Sequence, residues 1–190
     1  MKRDFNYPIL EEIQERWSPR AFAPEPIPED TIYALVEAAR YAPSCFNEQP
    51  WRFLIASKEN ELKIMRTLLN SKNQKWACRA PVLILIIAHR FFMHNGRENR
   101  WAQFDTGAAW GFLSLEAQRR GLITHAMAGF KRNKAREILN ISDEYDIIAT
   151  VAIGKMGRKE CLEEEFYKEE FPNTRKAVTE IAWRLNRFID

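Results

Sequence analysis

The segment Ala42-Pro43-Ser44-Cys45-Phe46-Asn47-Glu48-Gln49-Pro50-Trp51-Arg52-Phe53 combines two prolines with a cluster of side chains that could bind a polar ligand. Pro43 lacks a backbone donor and disfavours helical geometry at the residue before it, so a helix should end there. Ser44, Asn47 and Gln49 then offer hydrogen-bonding groups on a loop between rigid elements, where binding groups are often placed. The alternative is a proline-rich turn whose polar groups satisfy its own backbone.

A second candidate site lies at the exit of an expected N-terminal helix. Arg16 and Arg20 are separated by three residues, and Ser18 stands between them. Guanidinium forks and a hydroxyl suit a phosphate group, so these side chains could form a small cationic cup. The alternative is a pair of solvated arginines near a helix C-terminus, where positive charge is favourable in any case.

The hydrophobic pattern predicts the elements that would hold both segments. Strands are expected over 52–57, 80–88, 122–127 and 145–154, and helices over 9–17, from Glu29, over 59–69, from about 99 to 120, and over 131–139. Residues 80–88 are unbroken by polar side chains and should form a central strand that is covered on both faces. Residues 128–130 should form a turn, where Gly129 either brings a backbone amide close to a flat ligand or is a plain turn glycine.

The longest predicted helix is apolar or small nearly all round between Phe104 and Ala117. It should therefore be buried inside the structure or at a subunit interface. Asp105 is an acid in this apolar stretch, and we expect it to hydrogen-bond a neighbouring backbone group. The loop 90–100 that precedes the helix either covers a pocket or is an ordinary surface connection. Beyond a charged spacer, the spacing of Ala177, Val178, Ile181, Leu185 and Phe188 predicts an amphipathic C-terminal helix that could pack on a second subunit.

Composition narrows the class of protein. The 190 residues suit one domain, the net charge of +3 is too small to indicate nucleic-acid binding, and 12% of the residues are aromatic. The three cysteines and three histidines show no metal-ligand spacing, so no metal is expected. No secretory signal is visible at the N-terminus, and the longest apolar run is too short to span a bilayer. These features predict a reduced, cytoplasmic protein.

Four segments, in order, resemble the nitroreductase family of FMN-dependent NAD(P)H oxidoreductases. Residues 16–22 match Arg-x-Ser-x-Arg/Lys-x-Phe, and residues 42–53 match Ala-Pro-Ser-x-x-Asn-x-Gln-Pro-Trp-x-Phe. The segments 105–109, 121–122 and 127–130 resemble the family's central helix and the turn that faces the flavin edge. Phe171-Pro172-Asn173-Thr174-Arg175 is similar to its C-terminal phosphate contact.

The resemblance implies an α+β fold with a mixed β-sheet flanked by helices and an obligate homodimer with FMN in its interface. It implies one domain over residues 1–190, with 158–190 as a C-terminal extension that packs on the partner subunit. The flavin would carry the hydride chemistry in a ping-pong reaction, with NADH or NADPH as donor and a nitroaromatic, quinone or similar small molecule as acceptor, and no catalytic side chain. The alternatives are a flavoprotein of the same fold with different chemistry, such as dehalogenation or flavin breakdown, and a non-catalytic flavin-binding module.

The resemblance also assigns roles to individual residues. Arg16, Ser18 and Arg175 would hold the 5′-phosphate with the backbone of Trp17, and Arg20 would reach the pyrimidine end of the ring. Pro43 and Ser44 of the partner chain would lie against the ring. Asn47 would hydrogen-bond the polar edge of the ring, and Ala128 and Gly129 would place backbone amides near N5 and O4. Two positions depart from the family: Ala128 replaces an acid found in some members, and Asn173 replaces a frequent lysine. Lys155 and Arg158 are the candidates to compensate for that lysine.

Overall fold

The structure is a computed structural model that describes residues 5–188. Residues 1–4, where no secretory signal is expected, and residues 189–190 lie outside the described residues, although the predicted single domain includes them. The side chain of Phe188 also lies outside what the structure describes. Along the described chain, the helices are α1 (Glu11–Glu15), α2 (Glu29–Arg40), α3 (Glu59–Leu68), α4 (Ser71–Ala77), α5 (Ala102–Arg119), α6 (Arg132–Ile138), α7 (Glu164–Tyr167) and α8 (Val178–Ile181). Short 3₁₀ turns cover Cys45–Asn47, Lys159–Cys161 and Leu185–Phe188.

Four strands form one sheet at the centre of the molecule. They are β1 (Trp51–Ala56), β2 (Val82–His89), β3 (Ile123–Met127) and β4 (Tyr145–Gly154), in the spatial order β1-β2-β4-β3. The α+β class is thereby confirmed, and every strand lies within two residues of its predicted position.

The side chains of β2 alternate between two hydrophobic clusters, as the pleat requires. Leu83 and Leu85 belong to a cluster with Met65 of α3 and Trp76 of α4, and Ile84 belongs to a second cluster on the other face, built largely from α2 and α5. The prediction of a central strand covered on both faces is confirmed.

The direction of the strands differs from the expected mixed sheet. All three neighbouring pairs in the described sheet are antiparallel. Strands β2 and β3 run in the same direction on either side of α5, but β4 lies between them and pairs with both. The connection from β2 through α5 to β3 therefore joins two parallel strands that do not pair with each other. Local sequence patterns do not encode this pairing of strands.

Helix α4 was not predicted, because its sequence Ser-Lys-Asn-Gln-Lys-Trp-Ala is polar and shows no apolar stripe. Its first turn is held by Asn70, whose side chain accepts a hydrogen bond of 2.8 Å from the amide of Asn73. Trp76 and Ala77 at its other end are buried. Tertiary packing of those two residues and an N-terminal cap therefore stabilise a helix that periodicity does not reveal.

The predicted single C-terminal helix is wrong. Helix α8 ends at Ile181, Ala182 is extended, and a 3₁₀ turn follows. Residues 173–187 are all exposed, so no packed apolar face offsets the cost of helix nucleation there.

Helix α5 is buried on one face only by the rest of the described chain. Leu113 and Ala117 are fully buried, whereas Phe104 is 73% exposed. A Cβ added at Gly107 or Gly111 would have no atom within 4 Å. This exposed stripe of α5 is therefore available to another surface. Among residues 5–188, no helix has the length and apolar character needed to cross a membrane.

Candidate functional site

The turn after α2 holds its polar side chains in an unusual backbone. Phe46, Asn47 and Gln49 all have positive φ angles, of 53°, 56° and 49°. The Ser44 hydroxyl oxygen accepts a hydrogen bond of 3.0 Å from the Gln49 amide, and the Gln49 side chain donates to the Asn47 side-chain oxygen at 3.2 Å. Part of the polar cluster thus satisfies the turn itself, while Asn47 and Pro43 remain exposed. Several left-handed non-glycine residues in one turn are strained, and such strain is concentrated at ligand sites.

Asp105 anchors this turn to helix α5. Its Oδ2 accepts a hydrogen bond of 3.0 Å from the amide of Cys45, and the residue is 4% exposed. The prediction that this buried acid hydrogen-bonds a backbone group is confirmed. The first turn of α5 therefore sets the position of Ser44 and Asn47.

The N-terminal cationic segment forms a compact loop. Nη1 of Arg16 donates to the carbonyl oxygen of Trp17 at 3.1 Å and lies 3.5 Å from the hydroxyl oxygen of Ser18. The structure therefore brings together three of the residues that were predicted to bind phosphate. The guanidinium of Arg20 lies 3.3 Å from the carboxylate of Glu169 and above the ring of Phe166.

His125 supports this loop from strand β3, a role that sequence reasoning missed. Its Nδ1 lies 2.9 Å from the carbonyl oxygen of Pro19, and its ring packs on Trp76 with centroids 4.5 Å apart. Burial, together with the nearby positive charges of Arg20 and Arg16, lowers the pKa of His125 to about 4, although hydrogen bonds to the backbone act in the opposite direction. The imidazole is therefore neutral at pH 7 and donates from Nδ1–H.

The turn that follows β3 is held by α4. The carbonyl oxygen of Gly129 accepts hydrogen bonds from the Asn70 amide at 3.2 Å and from the Asn73 side chain at 2.9 Å. In the part of the chain that the structure describes, the amide groups of Ala128 and Gly129 donate to no protein acceptor. Both amides are thus available to hydrogen-bond water or a ligand.

Gly129 is also required by the space around it. A Cβ at this position would lie 2.4 Å from Nδ2 of Asn70 and 2.9 Å from Nδ2 of Asn73. Asn70 and Asn73 therefore belong to the site. The signal in the sequence that could have revealed them is Asn70, an asparagine placed to cap a short polar helix.

Strand β3 connects two of the predicted segments. His125 contacts the loop of Arg16 and Arg20, and the strand leads three residues later to Ala128. Arg175 lies elsewhere, in the exposed C-terminal segment, where its guanidinium donates to the carbonyl oxygens of Asn173 and Thr174. Across residues 5–188, no group of three or more His, Cys, Asp or Glu side chains is placed to hold a metal ion. The arrangement offers cations, a hydroxyl and free amides, which suits an anionic ligand with a polar flat edge.

Comparison with known proteins gives a consistent set of relatives. A family model described as "Nitroreductase family" matches residues 13–155. A Thermus thermophilus protein named NADH dehydrogenase is 28% identical over 171 residues, covering 74% of this chain and 82% of that protein. A Caenorhabditis elegans protein named iodotyrosine dehalogenase 1 homolog is 28% identical over 144 residues, covering 61% of this chain and 44% of that protein. A crystal structure described as an oxidoreductase containing FMN superposes with a TM-score of 0.92 at 34% identity, over 96% of this chain and 94% of that chain.

Proposed function

Because the chain belongs to the nitroreductase family, we propose that it is an FMN-dependent oxidoreductase that uses NADH or NADPH to reduce an electron-poor small molecule. The acceptors proposed are nitroaromatics, quinones and related compounds. The observation that carries this proposal is the 34% identity, over nearly the whole chain, to a protein described as an oxidoreductase containing FMN.

The residues around Gly129 fit a flavin. The side chains of Asn70 and Asn73 fill the place of a Cβ, so the backbone at this position must stay bare, and its unaccepted amides can approach a flat ring edge. FMN, when bound, supplies the hydride transfer. We propose that the amides of Ala128 and Gly129 hydrogen-bond the ring edge near N5 and O4.

The cationic loop fits the other end of FMN. Arg16 and Ser18 already lie together in the structure, and we propose that they bind the 5′-phosphate with the backbone of Trp17. Arg20 would direct its charge to the pyrimidine end of the ring. Arg175 would complete the phosphate site from the C-terminal segment.

We propose that the active form is a homodimer. The exposed stripe of α5, with Phe104 at 73% exposure beside the open positions of Gly107 and Gly111, is an apolar surface suited to a second copy of the chain. In this dimer, Pro43, Ser44 and Asn47 of one protomer would lie against the flavin of the other, and residues 158–190 would wrap the partner subunit. Sedimentation equilibrium should give a dimer for the wild type, and Gly107→Arg should give a monomer that has lost FMN.

A reducing, cytoplasmic location is part of the proposal. Cys45, Cys78 and Cys161 are all free thiols. Burial raises the pKa of Cys78, which keeps that thiol protonated and unreactive at neutral pH.

The test is spectroscopic. The purified protein should show flavin absorbance, and anaerobic NADH or NADPH should bleach it. Re-oxidation by a quinone would then follow the overall reaction NAD(P)H + H⁺ + quinone → NAD(P)⁺ + hydroquinone. A colourless protein that does not bind added FMN, or a bound flavin that neither nucleotide reduces, would contradict the proposal.

A second candidate is reductive dehalogenation, which the similarity to the iodotyrosine dehalogenase homolog favours. The balanced reaction is NAD(P)H + Ar–X → NAD(P)⁺ + Ar–H + X⁻. Release of iodide from an iodophenol under anaerobic turnover, at a rate exceeding quinone reduction, would select this candidate over the first.

A further inference from the structure

Residues 91–98 form an ordered hairpin. Phe91 and Glu98 make an antiparallel bridge, and the amide of Phe92 donates to the carbonyl oxygen of Arg97 at 2.8 Å. Gly96 closes the turn with a φ of 68°. The loop predicted over residues 90–100 therefore contains a defined hairpin. The residues that the hairpin contacts indicate whether it covers a pocket or is an ordinary surface connection.

Glu48 fastens the hairpin to the strained turn at residues 44–49. Its Oε1 accepts a hydrogen bond of 2.8 Å from the amide of Met93, and its Oε2 lies 3.6 Å from Nδ1 of His94. The Glu48 side chain is only 8% exposed, so this carboxylate depends on the hairpin for its partners. The Glu48 side chain thus joins the hairpin to the turn.

Three rings meet where the two elements join. The ring centroids of Phe46 and Phe92 lie 5.9 Å apart in an edge-to-face arrangement, and the ring of His94 lies 5.8 Å from Phe46 and 5.4 Å from Phe92. We call Phe46, Phe92 and His94 the aromatic wall. These contacts leave Phe46 80% exposed, although its ring is supported from one side.

The exposure and backbone of Phe46 need an explanation. A phenylalanine in the left-handed region is disfavoured, and leaving its ring in solvent forgoes burial. Both features are held in place by the Asp105 anchor on Cys45 and the Glu48 contact with the hairpin. A strained residue that is fixed on both sides and presents a bare ring is arranged to receive a ligand.

We propose that the aromatic wall of one protomer forms one side of the acceptor pocket over the flavin of the other, and that it selects acceptors with a flat aromatic ring. This inference rests on the proposed function, because Phe46 stands between Ser44 and Asn47, which are proposed to lie against the flavin. Ring stacking and edge-to-face contact reward flat aromatic acceptors and give nothing to non-aromatic ones. Glu48 is a positioning residue that keeps the wall in place.

The experiment compares two acceptors in steady-state turnover of the FMN-loaded enzyme. One is 2-methyl-1,4-naphthoquinone, which is flat and aromatic, and the other is ferricyanide, which is not. The ratio of their kcat/KM values should fall roughly tenfold in Phe46→Ala and in Phe92→Leu, chiefly through the KM for the quinone. Phe91→Leu is the matched control: this ring lies on the same hairpin but packs against His89 and Arg90, so the ratio should stay at the wild-type value.

Two variants of Glu48 test its positioning role. Glu48→Ala loses the acceptor for the Met93 amide, so the ratio should fall as in Phe46→Ala. Glu48→Gln keeps a side-chain oxygen for that amide and should restore the ratio. If Glu48 had only a structural role, Glu48→Ala would lower thermal stability without lowering the acceptor ratio, and Glu48→Gln would have no change in that ratio to restore.

The outcomes separate the two proposals. A variant set that binds FMN, is bleached by NAD(P)H and retains the wild-type acceptor ratio would overturn the aromatic wall and leave the proposed function intact. A wild-type protein that neither binds FMN nor is reduced by either nucleotide would overturn both.

Discussion

The carboxylate of Glu170 binds the backbone of Arg20, a residue 150 positions earlier in the chain. Its two oxygens lie 2.8 Å and 3.1 Å from the Arg20 amide nitrogen, and Oε1 also accepts from the Ala21 amide at 2.9 Å. The start of the C-terminal segment is thereby tied to the N-terminal cationic loop. The exposed segment that carries Arg175 begins beside this contact. The contact therefore joins the two parts of the chain that are proposed to share one phosphate.

We expect Glu170→Ala to loosen both segments. Hydrogen bonds from backbone amides to a charged acceptor contribute about 1.5–3 kcal/mol, so the free energy of unfolding should fall by roughly that amount. FMN should also bind more weakly, because the cationic loop loses its support. Denaturant titration and a fluorescence titration with FMN measure the two effects.

Glu169→Gln is the matched control. Its carboxylate is 60% exposed and pairs with the Arg20 side chain, so its removal should change stability by no more than about 1 kcal/mol. Equal losses in the two variants would contradict the special role of Glu170.

Asp105→Leu should release the turn that carries Ser44 and Asn47. Residue 105 is only 4% exposed, and the substitution leaves the Cys45 amide without its acceptor there. The free energy of unfolding should therefore fall by about 1–3 kcal/mol. Asp105→Asn retains a side-chain oxygen and should keep most of the stability. Thermal denaturation compares them; a leucine variant as stable as the asparagine variant would show that this hydrogen bond does not hold the turn.

Gly129→Ala should disturb the cap of α4. The new methyl would collide with the Asn70 side chain, whose oxygen accepts from the Asn73 amide, so the cap must break at a cost of about 1 kcal/mol. FMN content should fall with it. In an Asn70→Ala background the same substitution should cost much less, and a full additional loss in the double variant would argue against this collision.

Stability should depend on pH through His125. The folded protein lowers the pKa of His125 to about 4 from its ordinary value of 6.5, so the unfolded chain takes up the proton first as the pH falls. The contribution of neutral His125 to the free energy of unfolding is complete above pH 6.5. It is lost as the pH drops toward 4, by roughly 3 kcal/mol in total. His125→Asn keeps a donor for the Pro19 carbonyl without titrating, so its unfolding free energy should lack this part of the slope. Identical pH profiles for the two proteins would contradict the prediction.

Arg16→Ala should lower FMN retention sharply. A charge-assisted hydrogen bond to phosphate contributes roughly 1.5–3 kcal/mol, which corresponds to a loss of affinity of one to two orders of magnitude. The flavin-to-protein absorbance ratio after gel filtration measures it. The comparison variant is Lys131→Ala, which lies at the N-cap of α6 outside the proposed site and should keep its flavin. Wild-type flavin content in Arg16→Ala would contradict the assignment of Arg16 to the phosphate.

Much of the fold could be predicted from local patterns. The unbroken apolar run of β2 required burial on both faces, and the strand predicted over 145–154 coincides with β4. These predictions succeed because side-chain periodicity and proline or glycine stops act between neighbours in sequence. The predictions for α4 and for the C-terminal segment failed for the converse reason. Packing against distant residues stabilises α4, and the absence of such packing leaves the C-terminal segment without a long helix.

The sequence by itself determined which side chains could bind a ligand: the arginines and serine of the N-terminal loop, the Ser44–Gln49 turn and the bare backbone at Gly129. Only the tertiary structure decided which partners position them, namely Asp105 for Cys45, His125 for Pro19, Glu48 for the 91–98 hairpin and Glu170 for Arg20. Propensity and spacing are local, whereas each of these contacts joins residues that are 45 or more positions apart and meet only when the sheet and helices have packed.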